Sequence, residues 1–252
     1  MYGPPGNGKT LMARALANEA PEANFFNISA SSLTSKWVGE AEKTVRALFA
    51  VAAVVQPAII FVDEVDSLLS TRKESDDALW RLKTEFLIQL DGIAANPNDR
   101  IVLIAATNMP QSEFSFVLHH LTSFSELDQA VLRRFQKRIM IPLPTLDNRV
   151  ELLTRLLETQ ANNLTSAQIK EISQMTHNYS GSDLTQLAKD AAMVPIRHLS
   201  STEITKLNKI RAMNFTDIKV AMARVRPSTT SASIAELESW TRSYGELSTK
   251  NL

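Results

Sequence analysis

Gly3-Pro4-Pro5-Gly6-Asn7-Gly8-Lys9-Thr10 is the stretch that decides the fold. It fits GxxxxGK[ST]. Its glycines let successive backbone N–H groups turn inward around phosphate oxygens. Lys9 then reaches the β and γ phosphates, and the Thr10 hydroxyl coordinates Mg2+. A Gly/Pro loop without function is the alternative, so the reading depends on what surrounds the loop. A helical stretch follows directly, from about Lys9 to Ala20.

Outward from the loop, Ile59-Ile60-Phe61-Val62-Asp63-Glu64 is an apolar strand that ends in two acids. Asp63 would hold Mg2+ through its water shell, and Glu64 would orient and deprotonate the attacking water. An acidic strand end in a turn is common by itself. In the same βαβ context as Lys9, the pair reads as nucleotide hydrolysis. Asn108 closes the next buried strand, where it either positions the same water or simply forms a turn before Pro110.

The remaining pattern alternates. Strands are expected at Asn24–Ser29, Ala58–Val62, Arg100–Ala105 and Arg138–Pro142. Helices are expected at Glu40–Val54, with Val45, Leu48, Phe49 and Ala52 on one face, and at Asp77–Leu90. Alternation of this kind predicts an α/β fold, a parallel sheet flanked by helices. After Pro144 only helices are expected: Asp147–Gln160, Ser166–Thr176, Gly181–His198, Thr216–Arg226 and Ser233–Tyr244, with Asp147, Ser166 and Thr216 as N-caps. The expected organisation is a large α/β subdomain over 1–144, a small all-helical lid over 145–226 and a C-terminal helix within 227–252.

Composition sets bounds on function. The 252 residues carry 27 Lys+Arg and 27 Asp+Glu, which gives no support for a general nucleic-acid or membrane-surface binder. There are no cysteines, which excludes disulfides and cysteine-ligated zinc and fits a reducing compartment. No apolar run approaches the roughly 18 residues of a membrane span, and no signal peptide is legible at Met1. We therefore expect a cytoplasmic protein. The adjacent His119 and His120 do not make a metal site, because neighbouring residues in regular structure do not converge on one ion.

Together these residues resemble the core of the AAA ATPases, in particular their microtubule-severing branch. The resemblance is carried by NFFNISASSLTSKWVGEAEKTVRALFAVAAVVQPAIIFVDEVDSLL (Asn24–Leu69), RLKTEFL (Arg81–Leu87), AVLRRF (Ala130–Phe135) and YSGSDLTQLAKDAA (Tyr179–Ala192). FTDIKVAM and IAELESWTRSYGE near the C-terminus add to it. It implies that Gly3, Pro4, Pro5, Gly6, Asn7, Gly8, Lys9, Thr10 and Leu11 bind ATP, with Gly181 and Ser182 near the adenine. Thr10 and Asp63 would serve Mg2+, Glu64 the water, and Asn108 would be the sensor. Arg133 and Arg134, which as two helical arginines would ordinarily be a solvated face, would be arginine fingers acting in trans in a homo-hexamer. Lys36, Trp37 and Val38, otherwise readable as a Trp packed on its own domain, would form a central pore loop. That loop would pull the acidic tails of tubulin, with Lys36 favouring them electrostatically. The implied setting is the cytoplasm at microtubules, with the nucleus as a second compartment.

Three departures from the pattern stand out. The chain starts at Met1-Tyr2, without the strand expected to feed the loop. The chain alone is therefore expected to be unstable and to hydrolyse ATP slowly, since each unpaired buried backbone group costs about 1–3 kcal/mol. Ser112–Ser125 interrupts a run that the family writes continuously. Its ends can be encoded with donor-like GTGAG and acceptor-like TTTTCAG, so a retained intron is expected, a surface loop being the alternative. Trp80 stands where a basic residue is usual. Two other functions compete: disassembly of ESCRT filaments, against which FNISASSLTSKWVG argues, and a non-catalytic fragment that interferes with full-length rings.

Overall fold

A computed structural model describes residues 1–34, 39–69, 77–96, 98–108, 131, 133–197 and 210–246. Two compact units emerge: Met1–Gly3 with Gly8–Ile141 and Glu236–Leu252, and Pro4–Asn7 with Pro142–Ala235.

The first unit is built on a parallel sheet of β1 (Asn24–Ser29), β2 (Ala58–Asp63) and β3 (Ile101–Ala105), in the order β1-β2-β3. Phe26 lies opposite Ile60, and Ile60 opposite Leu103. β2 is central and buried along Ala58–Val62, so it carries apolar side chains on both faces. Ile60 and Val62 point into a core with Val45 and Phe49 of α3 (Glu40–Val54) and Leu82 and Phe86 of α5 (Asp77–Ala95). There Phe49 and Phe86 meet edge to face at 5.9 Å. Phe61 points the other way, toward Ala13 of α1 (Lys9–Glu19) and Ala106. The expected fold, a parallel sheet with helices on both faces, is therefore present.

Two short helices, α2 (Ala30–Thr34) and α4 (Asp66–Leu69), were not expected from the sequence. Arg138–Pro142 is not the strand that was expected. Among the described residues it makes one bridge, Met140 to Tyr2, which also bridges Thr107. Pro142, with no N–H, cannot extend the ladder.

The second unit holds α6 (Leu146–Glu158), α7 (Ser166–Met175), α8 (Gly181–Arg197), α9 (Phe215–Met222) and the first turn of α10 (Ser231–Tyr244). Leu153, Leu157, Ile172, Leu184, Leu187 and Ile218 fill its core. The N-caps differ from those expected. Thr145, not Asp147, accepts from Asn148 N. Thr165, not Ser166, forms a capping box with Gln168. Asn214, not Thr216, forms one with Asp217. In each case the cap is the residue whose oxygen reaches the third amide of the helix. Arg149 is 7% exposed in this core and donates to the carbonyls of Ser173 (2.9 Å) and Pro144 (2.8 Å).

Candidate functional site

The loop departs from ordinary backbone at three glycines, Gly3 (φ 146°), Gly6 (φ 75°) and Gly8 (φ 80°). A Cβ on Gly3 would sit 2.2 Å from the Ile141 carbonyl oxygen, so no side chain fits there. Gly8 is the N-cap of α1 and offers no side-chain acceptor, and the first turn of the helix contains no acid. The helix start therefore has N–H groups that its own turn cannot satisfy and a positive dipole end, the ingredients of an anion site.

Lys9 is buried and its Nζ donates to Gly3 O at 2.8 Å. Burial lowers its pKa from the ordinary 10.5, while Asp63 and Asp66 oppose that shift. Thr10 Oγ1 donates to Asp63 Oδ2 at 2.5 Å, so a hydroxyl from α1 and a carboxylate from the end of β2 share one point in space. Two hard oxygen donors suit Mg2+, which prefers few protein ligands plus water and phosphate oxygens. Consistently, no cluster of three or more His, Cys, Asp or Glu that could cage an ion occurs among the described residues.

Glu64 is exposed and has φ 52°. A non-glycine residue in that region is strained, and such strain clusters at functional positions. Its N–H donates to Asp63 Oδ1 at 3.0 Å, which holds the turn. Asn108, half-buried, follows β3, whose parallel partner β2 ends in Asp63. Asp63, Glu64 and Asn108 thus lie at the carboxyl ends of neighbouring parallel strands, where open α/β sheets bind ligands.

The two arginines differ. Arg133 is exposed, whereas Arg134 grips Asp91 of α5 through Nε (2.6 Å) and Nη2 (2.5 Å). Lys36, Trp37 and Val38, the Ser112–Ser125 insert and the two histidines lie outside the described residues. Trp80 is 53% exposed at the start of α5.

In the second unit Gly181 and Ser182 begin α8, and Ser182 N donates to Gly6 O at 3.0 Å. A Cβ on Gly6 would lie 2.8 Å from Ser180 Oγ. Sequence reasoning missed several residues here. Asp66 Oδ1 and Ser67 Oγ are buried without a hydrogen-bond partner among the described residues, as are both amide atoms of Asn7, which the sequence had already placed in the loop. Asp183 was missed too, although Ser180-x-x-Asp183 carries a capping signature. Its carboxylate accepts from Ser180 N (2.9 Å), Ser228 N (3.1 Å) and Ser228 Oγ (2.9 Å). Burial pushes the Asp183 carboxyl upward, but these hydrogen bonds outweigh it and leave the pKa below the ordinary 3.8.

A depressed folded pKa stabilises above the unfolded value and loses that contribution as pH falls through the folded one. Asp217, held low chiefly by the Arg211 guanidinium, acts in the same sense. Asp183→Asn is therefore expected to cost roughly 2 kcal/mol at neutral pH. The urea midpoint should also differ less between pH 7 and pH 3 in the variant than in the wild type. An unchanged pH difference would mean that this carboxylate does not supply it.

Comparison with known proteins agrees with the resemblance read from the sequence. Residues 1–143 match the family described as "ATPase family associated with various cellular activities (AAA)", and residues 166–209 match the "AAA+ lid domain". The chain is 49% identical over 251 residues to Spastin of Anopheles gambiae, covering 98% of this chain and 28% of that protein. It is 46% identical over 249 residues to Spastin of Danio rerio, covering 98% and 41%. It thus spans less than half the length of these curated relatives. Among solved structures, the FIGL-1 AAA domain in complex with ADP superposes with a TM-score of 0.84 at 42% identity, covering 98% of this chain and 77% of that one. A structure described as "Structural Basis for Katanin Self-Assembly" gives 0.74 at 32% identity, with 96% and 76% covered.

Proposed function

Because the chain belongs to the ATPase family associated with various cellular activities (AAA), we propose that it binds ATP at Gly3–Leu11, hydrolyses it with Glu64 as the base, and uses the energy to sever microtubules. The observation that carries the chemical half is the meeting of Thr10 and Asp63 at 2.5 Å beside the buried Lys9. Mg2+ held by Thr10, with Asp63 acting on its water shell, would supply charge neutralisation at the phosphates. Lys9 adds a fixed positive charge, and the N–H groups of the loop cradle the phosphate oxygens. Glu64 takes the proton from the attacking water, and Asn108 holds that water in line. Gly181 and Ser182 are assigned to the adenine side.

The severing half is supported by the relatives' identity and by the residues that match the branch. We assign Arg133 and Arg134 to a neighbouring subunit's γ-phosphate in a homo-hexamer. Arg133 is the exposed member, and Arg134 is braced on Asp91. Lys36, Trp37 and Val38 are assigned to a pore loop that draws in acidic tubulin tails, which places the protein at the cytoskeleton. Among the described residues no helix is long and apolar enough to cross a membrane.

Fluorescence microscopy of stabilised microtubules tests this reading. Breaks along the filament are expected with the protein and ATP, and none with ADP. Intact filaments under conditions where ATP is consumed would remove the severing assignment and leave the ATPase standing.

A further inference from the structure

The C-terminal part of α10 packs on Tyr2, the residue just before the phosphate loop. The Tyr2 ring is buried and lies edge-on to Trp240, with centroids 4.5 Å apart. Its hydroxyl donates to Thr241 Oγ1 at 2.9 Å. The Thr241 hydroxyl itself donates to Leu237 O at 2.7 Å, so its oxygen is turned toward Tyr2 as an acceptor. Gly245 abuts the same phenol: a Cβ there would lie 2.4 Å from Tyr2 Oη.

The Tyr2 backbone is fixed on one edge as well. Tyr2 N donates to Ile139 O (3.0 Å), and Tyr2 O accepts from Ile141 N (2.8 Å). The end of α10 is tied to this same segment. Arg138 Nη1 donates to Tyr244 O (2.7 Å), Glu246 N donates to Arg138 O (3.0 Å), and Lys137 pairs with Glu246 (2.7 Å). The residue after Tyr2 is Gly3, pressed against Ile141, and Gly3 O is the acceptor for Lys9 Nζ. A displacement of Tyr2 therefore moves a carbonyl that accepts from the lysine.

We propose that Trp240 and Thr241 are positioning residues for Lys9, acting through Tyr2 and Gly3. The proposal rests on the reading of the loop as the nucleotide site. By linkage the coupling runs both ways, so nucleotide on the loop tightens the docking of α10.

Calorimetric titration with ADP tests it on the full chain. Thr241→Val keeps the shape of the side chain and leaves the Tyr2 hydroxyl without its acceptor. We expect ADP affinity to fall roughly three- to tenfold, the range that one lost hydrogen bond allows. Trp240→Ala should fall at least as far. In a Lys9→Ala background, titrated at raised ADP, Thr241→Val should cost nothing further, because the affected group is gone. Unchanged ADP affinity in Thr241→Val, or an equal loss in both backgrounds, would overturn the proposal.

A wild-type chain that binds no ADP overturns the nucleotide reading itself, so the two failures are told apart. Amide exchange on the wild type adds a measurement that no variant's folding can confound. The Gly245 N–H, which donates to Thr241 O at 2.9 Å, should exchange more slowly with ADP present. The same exchange rate with and without ADP counts against the coupling.

Discussion

Glu64→Gln is expected to lower ATP turnover by about 10²–10⁴-fold while leaving ADP affinity close to that of the wild type. The substitution keeps the size and polarity of the side chain and removes only its ability to take a proton. It leaves the Glu64 N–H to Asp63 Oδ1 bond intact, because that bond uses the backbone. The turn at φ 52° keeps that bond and is expected to survive as well. Turnover by a coupled assay and ADP binding by calorimetry separate the two effects. Equal turnover in the variant and the wild type would mean that another group accepts the proton. A parallel loss of ADP binding would make Glu64 a structural residue.

The second large effect is expected at Arg149. Arg149→Met keeps much of the stem and deletes the guanidinium. It removes the guanidinium donor from the Ser173 carbonyl, which keeps Thr176 Oγ1 at 3.3 Å, and from the half-buried Pro144 carbonyl. Losing the donor to a buried acceptor costs roughly 1–3 kcal/mol, and with one acceptor half-buried and the other still bonded a loss of about 2 kcal/mol is expected. Burial also lowers the pKa of this guanidinium. The lost stability should appear as a lower urea midpoint in the helical unit, followed by circular dichroism at 222 nm (a general helix signal). A variant as stable as the wild type would show that relaxed backbone or water replaces both hydrogen bonds.

What was legible in the sequence, and what was not, divides along physical lines. α3 was legible from Glu40 to Val54 because its apolar residues repeat at helical spacing. β2 was legible because β-branched residues bury both of its faces. The phosphate loop was legible because its function demands glycines and a lysine at fixed spacing. The short helices α2 and α4 were not, since five or four residues are too few to show a period. The caps were misplaced by one or two residues where eligible side chains stand close together, as Thr165 and Ser166 do. Only side-chain reach decides between them. Asp91 and Arg134 lie far apart in sequence and carry no shared pattern, so their pairing awaited the folded chain. The same is true of Tyr2 with Trp240, which lie far apart in sequence.

The hydrogen bond from Ser182 N to Gly6 O also has a consequence for biosynthesis. The loop is translated well before Ser182, so its partner emerges only after the strands of the sheet have been made. Local helical contacts form quickly, whereas parallel strand pairing must first close long stretches of chain. The tip of the loop therefore cannot gain this support while the large unit is still growing. A nascent chain halted before Ser182 carries its glycines and Lys9 but lacks the contact that steadies Gly6. Support for Gly6 is thus acquired only after the strands of the sheet have been made.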